Sequence, residues 1–149
     1  MHVVLYQPEI PPNTGSVGRL CAATEVSLHL VGPLGFELDD KHLKRAGLDY
    51  WKHVAPVVHA DFAEFEGRLD SLGTPLFFSA EAEQALYDVE IADDAVFVFG
   101  KESVGFSGPI RERYRDSLVR IPQFSDAVRS INVSTCVGIA LYEAVRRRG

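Results

Sequence analysis

Six short segments dense in Val, Leu and Phe constrain this chain more than any other feature: His2–Tyr6, Ser27–Val31, Val54–Val58, Leu76–Ser79, Ala95–Phe99 and Ser117–Ile121. Runs of this length and composition read as β-strands. Helical patterns lie between several of them. The clearest covers Asp61–Leu72, with Phe62, Phe65, Leu69 and Leu72 on one stripe, Asp61 as N-cap and Gly73 just past the end. Asn13 precedes a stretch with Val17, Leu20, Cys21 and Thr24 on one face and is expected to cap it. Asn132 or Ser134 precedes a last helix carrying Val137, Leu141, Ala144 and Val145 and ending in Arg146, Arg147 and Arg148. Strands alternating with helices predict an α/β fold: a mainly parallel sheet with helices on both faces. No repeat or linker divides the chain, so residues 1–149 are expected to form a single domain.

With 149 residues, 46% hydrophobic and 24% charged, the chain can bury a sizeable core, which excludes disordered, collagenous and small disulfide-stapled classes. Its longest apolar run is Ala95–Phe99, far short of the roughly 20 residues that a membrane-spanning helix needs. The N-terminus has no basic start, so a soluble, cytoplasmic protein with no membrane partner is expected. Cys21 and Cys136 sit among apolar residues and read as reduced core thiols. None of the five histidines is spaced to share a metal with another, so no metal is expected. A formal net charge of -6 argues against indiscriminate nucleic-acid binding, so any RNA contact must come from a local basic patch.

In open α/β sheets ligands bind beyond the C-terminal ends of the strands, which points to the loops Gln7–Asn13, Gly100–Gly108 and Pro122–Ser130. The first, with Pro8, Pro11, Pro12, Asn13 and Gly15, is either a rigid connection or a helix N-terminus shaped for a phosphate. Arg19 favours the second reading, because a guanidinium in so apolar a helix, if buried, needs an anionic partner. The second loop, Phe99–Gly108, is glycine-rich but matches neither the dinucleotide nor the phosphate-loop pattern. Its Glu102 reads equally as an acid, a hydrogen-bond acceptor or a solvated charge. In the third, capping explains one of Ser130, Asn132 and Ser134, not all three together with Arg129. Basic residues gather at Lys41, Lys44 and Arg45 and at Arg111, Arg113, Arg115 and Arg120. Both clusters are candidate phosphate-binding surfaces, whereas Arg146–Arg148 read as cations favoured at a helix C-terminus.

Residues 3–15 and 19–24 (VVLYQPEIPPNTG and RLCAAT), 28–36 (LHLVGPLGF), 44–51 (KRAGLDYW), 99–102 (FGKE) and 129–134 (RSINVS) closely resemble the TrmL/YibK group of SPOUT RNA methyltransferases. The resemblance spans nearly the whole chain. It implies a C-terminal trefoil knot, S-adenosylmethionine as methyl donor, a homodimer, and as acceptor the ribose of the wobble nucleotide, cytidine or uridine, of leucine tRNAs. Carried over by position, it implies Ser79, Gly100, Glu102, Ile121 and Ser130 as cofactor-binding residues. Arg19, Ser130 and Asn132 become the catalytic residues. The expected RNA-binding residues are Arg19, with Arg129 and the two basic clusters at Lys41, Lys44 and Arg45 and at Arg111, Arg113 and Arg115, which the charge pattern rather than the resemblance singles out. Two departures stand out: Lys101 where many relatives carry proline, and the loop Gln123–Val128.

Arginine side chains do not deprotonate in proteins, so Arg19 is expected to clamp the phosphate beside the acceptor ribose, with Ser130 and Asn132 orienting groups around it. The general base is left unassigned. A ribosomal RNA 2′-O-methyltransferase and a non-enzymatic nucleotide- or RNA-binding module are the competing expectations. The loops offer Arg, Ser and Asn in place of an exposed aromatic cage, which suits a sugar hydroxyl better than a base.

Overall fold

The computed structural model describes residues 1–38 and 50–149, so Lys41, Lys44 and Arg45 lie outside the described residues. Among the described residues six strands form one sheet: β1 (His2–Tyr6), β2 (Ser27–Val31), β3 (Val57–His59), β4 (Pro75–Phe78), β5 (Val96–Phe99) and β6 (Leu118–Val119). Their order is β3-β2-β1-β5-β4-β6, and every neighbouring pair is parallel, as expected. The helices, numbered among the described residues, are α1 (Pro11–Thr24), α2 (Trp51–Val54), α3 (Phe62–Leu72), α4 (Gly108–Arg113) and α5 (Val133–Arg148).

Alternation along the strands builds two cores. Val3, Leu5, Leu28, Leu30, Phe97 and Phe99 point to the face covered by α1 and α5, where they meet Val17, Cys21, Val137 and Leu141. Val4, Tyr6, Val31, Phe77, Val96 and Val98 point to the other face, against Phe65 and Leu69 of α3 and Ile110 of α4. The central strands β1 and β5 are therefore apolar on both sides, as a parallel sheet sandwiched between helices requires.

Local chemistry sets most boundaries. Asp61 caps α3, its side chain accepting from the Glu64 amide at 2.9 Å, and Gly73 follows the helix with φ +145. A Cβ at Gly73 would stand 2.0 Å from the Asp94 carbonyl oxygen, so only glycine fits. The expected strand Val54–Val58 is divided instead: Val54 closes α2, Ala55 takes a left-handed conformation with φ 40, and the strand resumes at Val57. The expected strand Ser117–Ile121 shortens to Leu118–Val119, because Ser117 belongs to a 3₁₀ turn and Arg120 pairs as an isolated bridge with Ala85. Asn13 does not cap α1. Pro11 and Pro12 occupy the first turn, which moves the N-cap back to Ile10. Arg147 does more than balance a helix dipole: its guanidinium donates to the carbonyls of Leu86, Tyr87 and Val89 and fastens α5 to the segment after β4.

A row of histidines crosses the β1–β2–β3 half of the sheet. His2 Nδ1 lies 3.0 Å from His29 Nε2, and His29 Nδ1 lies 3.0 Å from His59 Nε2. His29 and His59 are buried, and His59 packs edge-on against Phe65. When all three rings are neutral, each contact can pair one N–H with one lone pair, whereas a charged His29 would be desolvated beside two other imidazoles and near Arg68. Burial first, then those neighbours, pushes His29 down to about 4, and burial likewise lowers His2 and His59.

A histidine held neutral in the fold but free to protonate when unfolded makes stability fall as pH drops below its unfolded value near 6.5. The loss is complete near 4. Unfolding titrations should show His29 contributing a decline of about 3 kcal/mol over that window. His29→Gln should flatten this part of the profile relative to the parent; an unchanged slope would rule out the row as its source.

Candidate active site

The C-terminal ends of β4, β5 and β6 open into a cleft of about 440 Å³, within the range of small-molecule sites. Phe78, Phe99, Ile121, Ile131 and Val133 give it an apolar lining. Ser79, Gly100, Lys101, Glu102, Arg111, Arg129, Ser130 and Asn132 supply polar or close-approach positions. The three loops singled out in the sequence thus converge on one cavity, each contributing residues to its wall.

Gly100 and Gly105 shape the loop after β5. The Lys101 amide donates to the Gly105 carbonyl at 3.2 Å, and the Gly105 amide donates to the Lys101 carbonyl at 2.8 Å. This folds the loop so tightly that a Cβ on Gly100 would sit 2.7 Å from the Gly105 carbonyl carbon. Gly105 itself has φ +68, a conformation that costs other residues energy.

Two glutamates lock this loop to the start of α1. Glu102 accepts hydrogen bonds from the amides of Glu9 at 3.0 Å and Ile10 at 3.4 Å, which fixes it as an acceptor rather than a free acid. Glu9 answers by accepting from the amide of Ser103 at 3.1 Å and its hydroxyl at 2.7 Å, and these bonds hold its carboxyl below the usual carboxylate range. The third loop joins through Arg129, whose guanidinium donates to the Ser103 carbonyl at 2.6 Å, and through Asn132, whose amide donates to Asn13 Oδ1 at 3.0 Å. Asn132 Oδ1 also accepts from the amide and hydroxyl of Ser134 and from the Thr135 amide, so this side chain is the cap of α5. Its geometry is that of a positioning residue, with both ends of the amide already engaged.

Of the expected residues, Ser79, Gly100, Glu102, Ile121, Arg111, Arg129, Ser130 and Asn132 line the cleft. Arg19 does not. Six residues beyond Asn13 on α1, it is turned about 240° around the helix axis from the cleft side. Rather than being buried, it is exposed in a groove between α1 and α5, its guanidinium 5.1 Å from the centre of the Tyr50 ring, with Ser16, Ser134 and Thr135 alongside. The arginines near α4 do not form one cationic surface. Arg111 pairs with Glu81 at the cleft, Arg113 with Glu66 of α3 at 3.0 Å, and Arg115 with Glu112 at 3.5 Å. Cys136 reaches the cleft wall, where burial pushes its thiol up to about 11 and leaves it protonated at neutral pH. The exchange between Glu9 and Glu102 has no local sequence signal; only the polar density of both loops hinted at it.

A parallel sheet with a glycine-walled cleft beyond its strand ends is the architecture of a nucleotide-binding α/β enzyme. The SpoU rRNA Methylase family matches residues 1–142, and the chain belongs to that family. It is similar to the tRNA (cytidine(34)-2′-O)-methyltransferase of Saccharophagus degradans, 41% identical over 150-odd residues covering 99% of this chain and 96% of the relative. The protein of the same name from Methylovorus glucosotrophus is 43% identical, covering 97% and 94%. Among solved structures, one described as giving insight into the 2-OH methylation of C/U34 on tRNA superposes with a TM-score of 0.91 at 44% identity, covering 98% of this chain and 94% of that one. The SpoU methyltransferase AviRb of Streptomyces viridochromogenes, in complex with AdoMet, superposes at 0.81 with 25% identity, covering 99% and 57%. The fold is that of the SPOUT methyltransferases, of which the C-terminal trefoil knot is a part.

Gly100→Ala should lower stability by about 1–3 kcal/mol, because its Cβ meets backbone that cannot swing aside. Gly108→Ala, with nothing within 4 Å, should be near neutral. Thermal melts of the two variants compare them directly; equal melting temperatures would show that the glycine turn is looser than its contacts indicate.

Proposed function

We propose that this chain is an S-adenosylmethionine-dependent tRNA methyltransferase that 2′-O-methylates the ribose of the wobble nucleotide, cytidine or uridine, of leucine tRNAs. The observation that carries the reading is the cleft itself, where a nucleoside-sized, apolar-lined cavity is walled by backbone at Gly100 and bordered by the side chains of Arg129, Ser130 and Asn132. The names of the similar methyltransferases support tRNA over ribosomal RNA as substrate.

The residues present suit the donor. The tightly folded turn at Gly100 forms one wall, Phe78, Phe99 and Ile121 offer apolar contact to a flat ring, and Ser79 and Ser130 offer hydroxyls. S-adenosylmethionine, when bound, supplies an activated methyl group. The chain's task is then alignment of the acceptor hydroxyl, which can supply a large share of the rate for a bimolecular transfer. Ser130, exposed at the rim, is placed to orient the ribose, while Asn132 fixes the start of α5 beneath it.

Arg19 stands outside its own chain's cleft, and this supports a homodimer built through α1 and α5 in which Arg19 serves the partner's site as a phosphate clamp. Half-buried Leu20, Val133 and Ile139 and exposed Tyr142 and Val145 give those helices apolar surface to pair. No described helix is long and apolar enough to cross a membrane.

Incubation with labelled donor and total tRNA, followed by mapping, should give a 2′-O-methylated nucleotide at the wobble position of leucine tRNAs. Replacing that nucleotide by its deoxyribose form should abolish incorporation while RNA binding persists; incorporation that survives would refute ribose methylation. Donor binding by calorimetry should be unchanged by a chelator. Mixing Arg19→Ala chains with chains carrying Gly100→Ala should restore part of the activity, and no recovery would argue for self-contained sites.

A further inference from the structure

The chain has nine phenylalanines, and eight are buried or half-buried; Phe124 is 98% exposed. The site loops, expected to offer no exposed aromatic cage, do carry this one exposed ring, because Phe124 lies in the loop from Pro122 to Ser130. Both feet of that loop, Gln123 and Arg129, line the cleft. The loop is also tied internally. The Gln123 side-chain amide reaches the Val128 carbonyl at 3.5 Å, the Ser125 hydroxyl accepts from the Ala127 amide at 3.1 Å, and Arg129 anchors to Ser103. The glycine turn adds Val104, 73% exposed, to the same cleft lining. Lys101 and Arg129 line the same cleft, as does Arg111 in its pair with Glu81.

A bare aromatic ring beside cations at a cleft mouth matches the recognition chemistry of single-stranded RNA, in which a base face stacks on an aromatic and the adjoining phosphates meet basic side chains. Two other occupants fit less well. The cofactor's own ring belongs within the cleft, whose lining does not include Phe124. A second copy of the chain would need a broad apolar patch, but Phe124 shares its short loop with Gln123, Ser125 and Asp126, and only Val128 adds a second large exposed apolar side chain to that loop. We propose that Phe124 is a base-stacking residue of the substrate site, taking the face of an unpaired RNA base next to the nucleotide presented to the cleft. This rests on the proposed RNA methyltransferase activity. Because every base has a π face, the contact raises affinity for an unpaired loop without selecting cytidine over uridine.

The test uses the full-length protein with an anticodon stem-loop RNA of a leucine tRNA, intact or with a single abasic position moved through the loop. Phe124→Ala should weaken RNA binding about 10-fold, with donor affinity and oligomeric state unchanged, and Phe124→Tyr should stay within about 2-fold of the parent. One abasic position should reduce the parent to the level of Phe124→Ala and cost that variant nothing more. Undiminished RNA binding by Phe124→Ala, abasic losses equal in both proteins, or a loss of donor affinity or of the parent's oligomeric state would each overturn the proposal. Methylation of intact tRNA by the parent in the same assay separates the two readings. Its absence removes the activity and this inference together, whereas its presence with an indifferent Phe124→Ala removes the inference alone.

Discussion

The site depends on an exchange of carboxylates between two loops. Glu9, after β1, bonds Ser103; Glu102, after β5, bonds the backbone at Glu9 and Ile10. Hydrogen bonds to an ionised acceptor are about twice as strong as neutral ones, and each of these acids finds more than one donor. The exchange sets how close the glycine turn stands to the start of α1, and through the Ser103 carbonyl it also fixes Arg129 and the loop before α5. Cleft shape is therefore held by polar contacts at its rim, above a sheet whose packing is almost entirely apolar.

Charge is distributed to match. The chain is acidic overall, yet many of its arginines are committed to structure: Arg120 to the carbonyls of Ala82 and Glu83, Arg147 to those of Leu86, Tyr87 and Val89, and Arg146 to Glu143. Glu143 is drawn down to about 2 by Arg146 and Arg147, so this anchor of α5 keeps its charge across the ordinary pH range. Arg19 is used differently. It rests on the Tyr50 ring in an open groove, a contact that orients the guanidinium.

Much of the fold was legible because apolar periodicity and caps act locally. The six strands, the Asp61 and Gly73 boundaries of α3 and the apolar face of α5 follow from neighbours within a few residues. The convergence of three loops was legible from strand ends rich in Gly, Pro and Asn. Strand order was not, since placing β5 between β1 and β4 is a long-range choice that no local pattern encodes. Asn13 misled because a good capping residue was pre-empted by two prolines, and Val54 misled because an apolar β-branched residue also suits the end of a short helix. Arg19 could be assigned a chemistry from its neighbours in sequence, but not the side of the helix on which it would be needed. Resemblance supplied the reaction and cofactor; the geometry supplied the roles of Glu9, Glu102 and Asn132.

The rim contacts have a kinetic consequence as well. Glu9 and Ser103 are 94 positions apart, and Asn13 and Asn132 are 119 apart. Contacts of such separation close long loops and form late, so a chain of this topology is a slow folder for its size. During synthesis the cleft can close only once the loop carrying Arg129 and the helix it leads into have left the ribosome, after all six strands. A nascent or truncated chain would have most of a sheet and no place for a nucleotide, which makes ligand binding a stringent reporter of completed folding.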